Sequence, residues 1–373
     1  MTSTQLPCPL PRVPLVPDEL LKRNHCYFEI DTRFRKAARL LSCLWLKDHS
    51  IEPGVHVRGE GADAVVMPLH SNLSRDAARA GKNFLSPAIH EFVRRELIMR
   101  EEGAAIDEER LLGNALSSMP MSYNLFAPMA LDLSLATAVF KQLLPEFVHE
   151  VTEFKFEHSP SRERRKGEWL EDGSAFDLAV KVITVDGEDG TVLIETKLSE
   201  DMAGPAARLR DRYDEVSRAS GLFVDPDSPM LRTYAQEQLW RLHMLSQLMV
   251  DKGVTSRAVF IAIGPRLNRR AMAAFRSYEK ELIAADDRDT NRVPFQALTL
   301  ETVVEAIGRV GAPDLSRQLW ARYCDFERIY HLALQEFVDK QTGPNETGPS
   351  SQSAPQQSNS RPAQVRSRKK AAQ

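Results

Sequence analysis

Residues 174–199, SAFDLAVKVITVDGEDGTVLIETKLS, constrain this chain more than any other stretch. They read as two strands joined by a tight acidic turn. Phe176, Leu178, Val180 and Val182 fall on one side of the first strand, and Asp177, Ala179 and Lys181 on the other. The turn Asp186-Gly187-Glu188-Asp189-Gly190 supplies two glycines for positions of positive φ. In the second strand Val192, Ile194 and Thr196 share one face, and Glu195 and Lys197 share the opposite one. Strands this apolar belong in a core. Asp177, Glu195 and Lys197 inside a core cost free energy unless they pair with one another or hold a metal.

The chain is long enough to build that core. Its 373 residues, 42% of them hydrophobic, allow one large domain or two modest ones. A formal net charge of −3 provides no global field for nucleic acid, so a nucleic-acid surface must come from local patches. Cys8, Cys26, Cys43 and Cys324 lie far apart with no CxxC pair, which argues against zinc and fits a reducing cytoplasm. No apolar run approaches the roughly 18 residues of a membrane span. The Pro-rich start, MTSTQLPCPLPRVPLVP, reads as part of an extended arm over residues 1–30 rather than a signal peptide.

Residues 31–124 read as a helical region. One helix follows its cap Thr32, with Phe34, Ala37, Ala38, Leu41 and Leu44 on one face, and ends before Pro53-Gly54. Residues 55–80 give no clear pattern. A second helix starts at Ser86-Pro87 and a third at Asp107. Residues 114–126, NALSSMPMSYNLF, read on composition as a buried connector, with Ser-Ser-Met-Pro ending one helix and Asn124 capping the next. A helix over 125–146 carries the stripe Leu131, Leu135, Val139, Leu143 and Leu144. Residues 152–158 alternate as a strand, Phe154 and Phe156 inward, Glu153, Lys155 and Glu157 opposite.

A basic loop, residues 161–166, stands just before the hairpin, either solvated or placed against an anion. Beyond the hairpin an Arg-rich helix is expected over 205–220. A longer one runs from Ser228-Pro229 to Gly253, with Tyr234, Gln238, Arg241 and Leu245 in one stripe. Residues 258–263 form a buried strand, and 266–335 are helical, with Trp320, Tyr323, Phe326, Ile329 and Tyr330 as packing. The segment 342–373 is rich in Ser, Gln, Pro and Asn and ends in Arg366, Arg368, Lys369 and Lys370. It reads as a disordered basic tail.

Asp177 followed 18 positions later by Glu195-Thr196-Lys197 resembles the D-(x)n-ExK signature of the PD-(D/E)XK nuclease superfamily. The proline that usually precedes the aspartate is replaced by Phe176. Asn83-Phe84-Leu85, the run LSSMPMSYNLF and Gln238-Leu239-Trp240-Arg241 are similar, in the same order, to motifs of a bacterial, restriction-endonuclease-like branch of that superfamily. The resemblance spans roughly residues 80–265.

It implies an α/β fold. An αβββαβ core with a mixed sheet flanked by helices would lie within residues 125–335, after the helical N-terminal region. It also implies a metal-dependent nuclease that hydrolyses phosphodiester bonds, with a catalytically inactive nucleic-acid-binding or interaction protein as the alternative. Such hydrolysis needs charge neutralised at phosphate and a water made nucleophilic, which Mg²⁺ or Mn²⁺ supplies when held by one or two carboxylates. In that scheme Asp177, Glu195 and the Thr196 carbonyl hold the metal, and Lys197 acts on the water. A further acid would be Glu157, with Asp132 and Glu146 also open. Gln238 and Arg241, with Arg164 and Arg165 of the basic loop, would position substrate. The implied partner is nucleic acid, DNA foremost, with a homodimer allowed and no membrane. His149, His158 and His243 are scattered and read as structural or exposed, although His158 lies beside the site.

Overall fold

The computed structural model describes residues 10–342 apart from 60, 105, 161, 163–166, 201, 203–208 and 285–290. Its strands are β1 Pro53–Arg58, β2 Val65–Leu73, β3 Val148–His158, β4 Phe176–Thr184, β5 Asp189–Thr196, β6 Arg257–Gly264 and β7 Phe295–Thr299. The helices before the main sheet are α1 Asp18–Arg23, α2 Arg33–Asp48, α3 Arg75–Arg79, α4 Pro87–Met99, α5 Glu108–Gly113, α6 Ser118–Leu131 and α7 Leu133–Leu143. Those within and after it are α8 Asp211–Ala219, α9 Glu237–Asp251, α10 Arg269–Glu279, α11 Leu300–Arg309, α12 Pro313–Tyr323 and α13 Phe326–Thr342.

β3 to β7 form one mixed sheet in sequence order. β3, β4 and β5 pair antiparallel, and β6 and β7 join parallel. The order α7, β3, β4, β5, α9, β6, with short α8 ahead of α9, is the αβββαβ core, and β7 extends it.

The period-two pattern divides the core into two layers. Leu178, Val180 and Val182 of β4 face the same side as Val192 and Ile194 of β5 and Val259, Ile261 and Ile263 of β6, packed with α4, α6, α7, α11 and α12. Ala179, Leu193, Phe260 and Ala262 face the other, packed with α8, α9 and α10. Both faces are covered, which is why these strands are apolar almost throughout. Phe176 departs from the expected alternation. It packs edge-on to Phe260 on the second side, ring centroids 6.1 Å apart. The pleat breaks beside it, because Glu157, in the strand paired with β4, has a φ of +48°.

Other expectations also shift. Residues 55–80 hold the antiparallel hairpin β1–β2, so the N-terminal region is not wholly helical. Residues 10–30 are not a free arm: Val13, Val16, Leu20, Leu21 and Cys26 are buried against α2 and α13, and α1 lies among them. The apolar stripe over 125–146 belongs to two helices, α6 and α7, bent by 116°. Asp132 makes the bend by accepting the N–H groups of Ser134 and Leu135 at the start of α7.

Ser117, not Asn124, caps a helix, and Pro120 sits in the first turn of α6. The helix expected from Pro229 is broken. Thr233 is extended after a single 3₁₀ turn over Pro229–Arg232. The Arg232 guanidinium turns back over the Trp240 ring at 4.7 Å, and Tyr234 is left exposed. β7 falls within the region expected to be helical; its five residues copy the parallel register of β6. Tyr330 is 40% exposed, unlike buried Tyr323, Phe326 and Ile329. The segment 343–373, expected to be disordered, lies outside the described residues, and so do residues 205–208 at the start of the expected Arg-rich helix.

A buried polar network ties the first layer together. Asn124 donates to the Asn83 carbonyl at 3.0 Å and to the Tyr323 hydroxyl at 2.9 Å, and accepts from the Leu85 N–H at 2.8 Å. Arg322, 2% exposed, donates to the Asn83 side chain at 2.6 Å and lies over the Trp45 ring at 4.2 Å. Asn124→Leu keeps the volume but leaves these groups without partners. It should destabilise the protein by about 3 kcal/mol, read as a lower urea midpoint at unchanged slope. An unchanged midpoint would show that the network contributes nothing to stability.

Candidate active site

The hairpin places its charges at the end where β4 begins and β5 finishes. Asp177 Oδ2 accepts the Thr196 N–H at 2.7 Å and the Thr196 hydroxyl at 2.6 Å across the strand pair. Glu195 and Lys197, two residues apart on one face, meet directly, with Lys197 Nζ 2.6 Å from Glu195 Oε1. Gln238, on the first turn of α9, closes the triangle. Its carbonyl oxygen accepts from Lys197 Nζ at 2.7 Å and its amide donates to Glu195 Oε1 at 2.8 Å. Glu195 is 3% and Lys197 7% exposed, so neither charge leans on bulk water.

The electrostatics follow from crowding. Burial pushes the Glu195 carboxyl up to about 7, and the neighbouring Asp177 adds to the rise against the pull of Lys197. Burial likewise raises Asp177, against Lys197 and the two Thr196 hydrogen bonds. Glu157 is pushed up to about 8 by burial, then by Asp177 and Glu195. The left-handed turn at Glu157 therefore brings the last acid of β3 into the field of the other two. Burial works against the Lys197 charge, but Glu195, Glu200 and Asp177 outweigh it and hold this ammonium above its ordinary pKa.

Two participants carried no sequence signal as strong as the D…ExK spacing. Glu200 accepts the Leu198 N–H at 2.7 Å, the Ser118 hydroxyl at 2.8 Å and an Arg110 guanidinium N–H at 2.9 Å. Burial opposes its ionisation, yet Lys197 and these donors keep its pKa below the ordinary value. Tyr123, on α6, lies in the field of Glu157, Glu96 and Asp177. Glu200 stands three positions after Lys197, so a charge just past the strand was the available sign. Tyr123 had none beyond its place in the LSSMPMSYNLF run.

A sequence model of the PD-(D/E)XK nuclease superfamily matches residues 29–325. The chain belongs to that superfamily. No curated protein and no solved structure matches it. Nucleases of this superfamily generally use divalent metal ions.

Among the described residues, no group of three or more His, Cys, Asp or Glu side chains is arranged to hold a metal ion. The donor set nevertheless fits one. Asp177 and Glu195 are hard oxygen donors, and Mg²⁺ commonly takes only one or two protein carboxylates. Their mutual repulsion, shared with Glu157, is what a cation would relieve.

The remaining nuclease-superfamily candidates fall in different places. The Arg241 guanidinium is committed within the protein. It bonds Asp172 at 3.2 Å, Glu237 at 3.1 Å and the Ser174 hydroxyl, fastening the loop ahead of β4 to α9. Arg164 and Arg165 lie outside the described residues. Their neighbour Arg162 bonds Glu101 at 2.8 Å and the Glu157 carbonyl. Asp132 is occupied as a helix cap, and Glu146 is exposed at the end of α7. His158 pairs with Glu101 at 3.0 Å. His243 is a core residue that donates to the Val293 carbonyl at 2.8 Å and accepts from the Tyr278 hydroxyl at 3.0 Å.

The raised carboxyls set a pH dependence. Glu157 and Glu195 bind protons more tightly folded, near 8 and 7, than at the reference 4.5. The stabilisation linked to these protons is whole at low pH and is lost as pH rises through the folded values. The melting temperature of metal-free protein should therefore fall between about pH 4.5 and about pH 8, and Glu157→Gln should flatten that fall. Mg²⁺ should raise the melting temperature most at the alkaline end, because it displaces those protons. A metal-free melting temperature that climbs over this range would contradict the burial of these acids.

Proposed function

We propose that this protein is a metal-dependent endonuclease, restriction-endonuclease-like, that hydrolyses phosphodiester bonds of DNA in the cytoplasm. The observation that carries this reading is the grouping of Asp177 and Glu195 with a positively held Lys197, with Glu157 in the field of those two acids. Asp177 and Glu195, with the Thr196 carbonyl, are the groups that would hold Mg²⁺ or Mn²⁺, and Glu157 is the further acid. When bound, the ion neutralises charge at the phosphate and lowers the pKa of a water.

Lys197 serves as a cationic hydrogen-bond donor. Its raised pKa makes it a poor base, so its work is to orient the attacking water and to offset charge growing on phosphate. The water oxygen bonds to phosphorus and gives up a proton, the phosphorus bond to one flanking sugar oxygen breaks, and that oxygen takes up a proton, so that one water is consumed and a phosphate monoester and an alcohol end are formed. Gln238 holds Lys197 and Glu195 in register. Arg241 acts on substrate position through the loop at Asp172 and Ser174, and Arg164 and Arg165 are assigned to phosphate contact. Cys26, Cys43 and Cys324 are free and buried, in keeping with a reducing compartment.

The purified protein should nick or cleave nucleic acid with Mg²⁺ or Mn²⁺, and EDTA should abolish this. The substrates are supercoiled plasmid, linear duplex, single-stranded DNA and RNA. Asp177→Ala and Glu195→Ala should lose metal binding and activity together. Lys197→Ala should lose activity, by about a hundredfold or more, yet retain metal, because an ammonium is not a ligand. Arg241→Ala should cost less activity and more stability. Activity that survives the double Asp177/Glu195 substitution would place the chemistry elsewhere. Metal-free binding of nucleic acid with no cleavage of any substrate would favour the inactive, binding-only alternative.

A further inference from the structure

Tyr123 is an anomaly in the first layer. It is 1% exposed, and its ring stacks on Phe156 with centroids 4.4 Å apart and planes 8° from parallel. Its hydroxyl is buried and has no hydrogen-bond partner among the described residues. A buried hydroxyl without a partner costs stability, and phenylalanine would make the same stacking contact without that cost. The charged groups acting on this phenol are Glu157, Glu96 and Asp177. An O–H donor thus stands unused within the field of these acids.

We infer that Tyr123 is a positioning residue of this site, whose hydroxyl donates to the Glu157 carboxylate when Glu157 turns toward a cation held by Asp177 and Glu195. The inference rests on the metal-dependent reading of the site given above. Glu157 needs such an anchor. Its backbone is left-handed, with a φ of +48°, so the pleat of β3 does not aim its side chain. The backbone there is held from the other direction by Arg162, which bonds the Glu157 carbonyl. Tyr123 is fixed by the ring of Phe156, the residue immediately before Glu157, and α6 supplies a rigid base. In metal-free protein the hydroxyl is idle. In the charged site it holds one carboxylate rotamer and donates to an anion, the stronger kind of hydrogen bond.

A double-substitution cycle on metal affinity tests this without relying on cleavage. Mn²⁺ is titrated calorimetrically into full-length wild type, Tyr123→Phe, Glu157→Gln and the double variant. Tyr123→Phe should weaken Mn²⁺ binding about fivefold. Glu157→Gln should weaken it further, and the double variant should match Glu157→Gln alone within about twofold, because the hydroxyl acts only through that carboxylate.

Metal-free Tyr123→Phe should melt at or above the wild-type temperature, since it removes an unpaired buried hydroxyl. Its kcat should fall about tenfold at unchanged KM. A Tyr123→Phe variant with full Mn²⁺ affinity would overturn the assignment, as would losses that add in the double variant, or coupling to Glu96→Gln in place of Glu157→Gln. So would a lower melting temperature with unchanged Mn²⁺ affinity, the mark of a packing role alone. Wild type that binds no Mn²⁺ would sink the metal-dependent reading itself, and the tyrosine assignment with it. Wild type that binds and cleaves, with Tyr123→Phe indistinguishable from it, would sink only the tyrosine.

Discussion

Like charge confined at the end of a sheet governs this structure. Asp177, Glu195 and Glu157 come from three adjacent strands and reach one another only because β3, β4 and β5 are paired in this register. Each carboxylate raises the cost of ionising the next, and a single ammonium, Lys197, sits among them. Truncating one member of a buried charge set is expensive, because the others lose their compensation. The surrounding elements are arranged to avoid that state. α9 presents Gln238, Thr196 ties down Asp177, and Arg110 and Ser118 engage Glu200.

The two apolar layers supply this site unequally. The layer of α8, α9 and α10 brings Gln238 and, through Arg241, clamps the loop that leads into β4. The layer of α4, α6, α7, α11 and α12 brings Ser118, Tyr123 and Glu96. Asn124 follows Tyr123 in α6 and is locked to Asn83, Leu85 and Tyr323. One residue of α6 therefore anchors the helix in the C-terminal part of the chain, and the one before it stacks on Phe156, next to Glu157 in sequence. Rigidity at Asn124 is what makes a placed hydroxyl at Tyr123 meaningful.

What the sequence revealed follows the range of the interactions involved. The β4–β5 hairpin was legible because both strands alternate and the turn has its glycines, all within 26 residues. The αβββαβ order and the superfamily were legible through motifs that recur in sequence. Phe176 was misplaced because its side is decided by contact with Phe260, more than 80 residues away, and by the left-handed Glu157 in the neighbouring strand. The bend between α6 and α7 was missed because the apolar stripe runs through it, although Asp132 followed by Ser134 is a legible cap. The break before α9 was hidden for another reason. Proline at its first position suits a helix, and the turn ends where Thr233 becomes extended and Arg232 lies over the Trp240 ring, a contact with no local sequence sign. β1 and β2 escaped because their valines are largely exposed and the buried face of β2, Leu69, Ser71 and Leu73, is short and broken by a serine.

The same repulsion links folding to ligand binding. Glu157, Asp177 and Glu195 span 38 positions of sequence and converge only in the native sheet, so an unfolded chain presents no comparable donor set. A divalent cation that binds the folded site therefore stabilises the fold by mass action, in proportion to its concentration over its dissociation constant. Its affinity and its stabilising effect have one source, since both draw on charges that burial has made costly to ionise. Replacing Glu195 by glutamine would relieve part of this cost and at once weaken the reason for a cation to bind. Under the metal-dependent reading proposed above, stability without metal and affinity for metal are opposing requirements on these carboxylates.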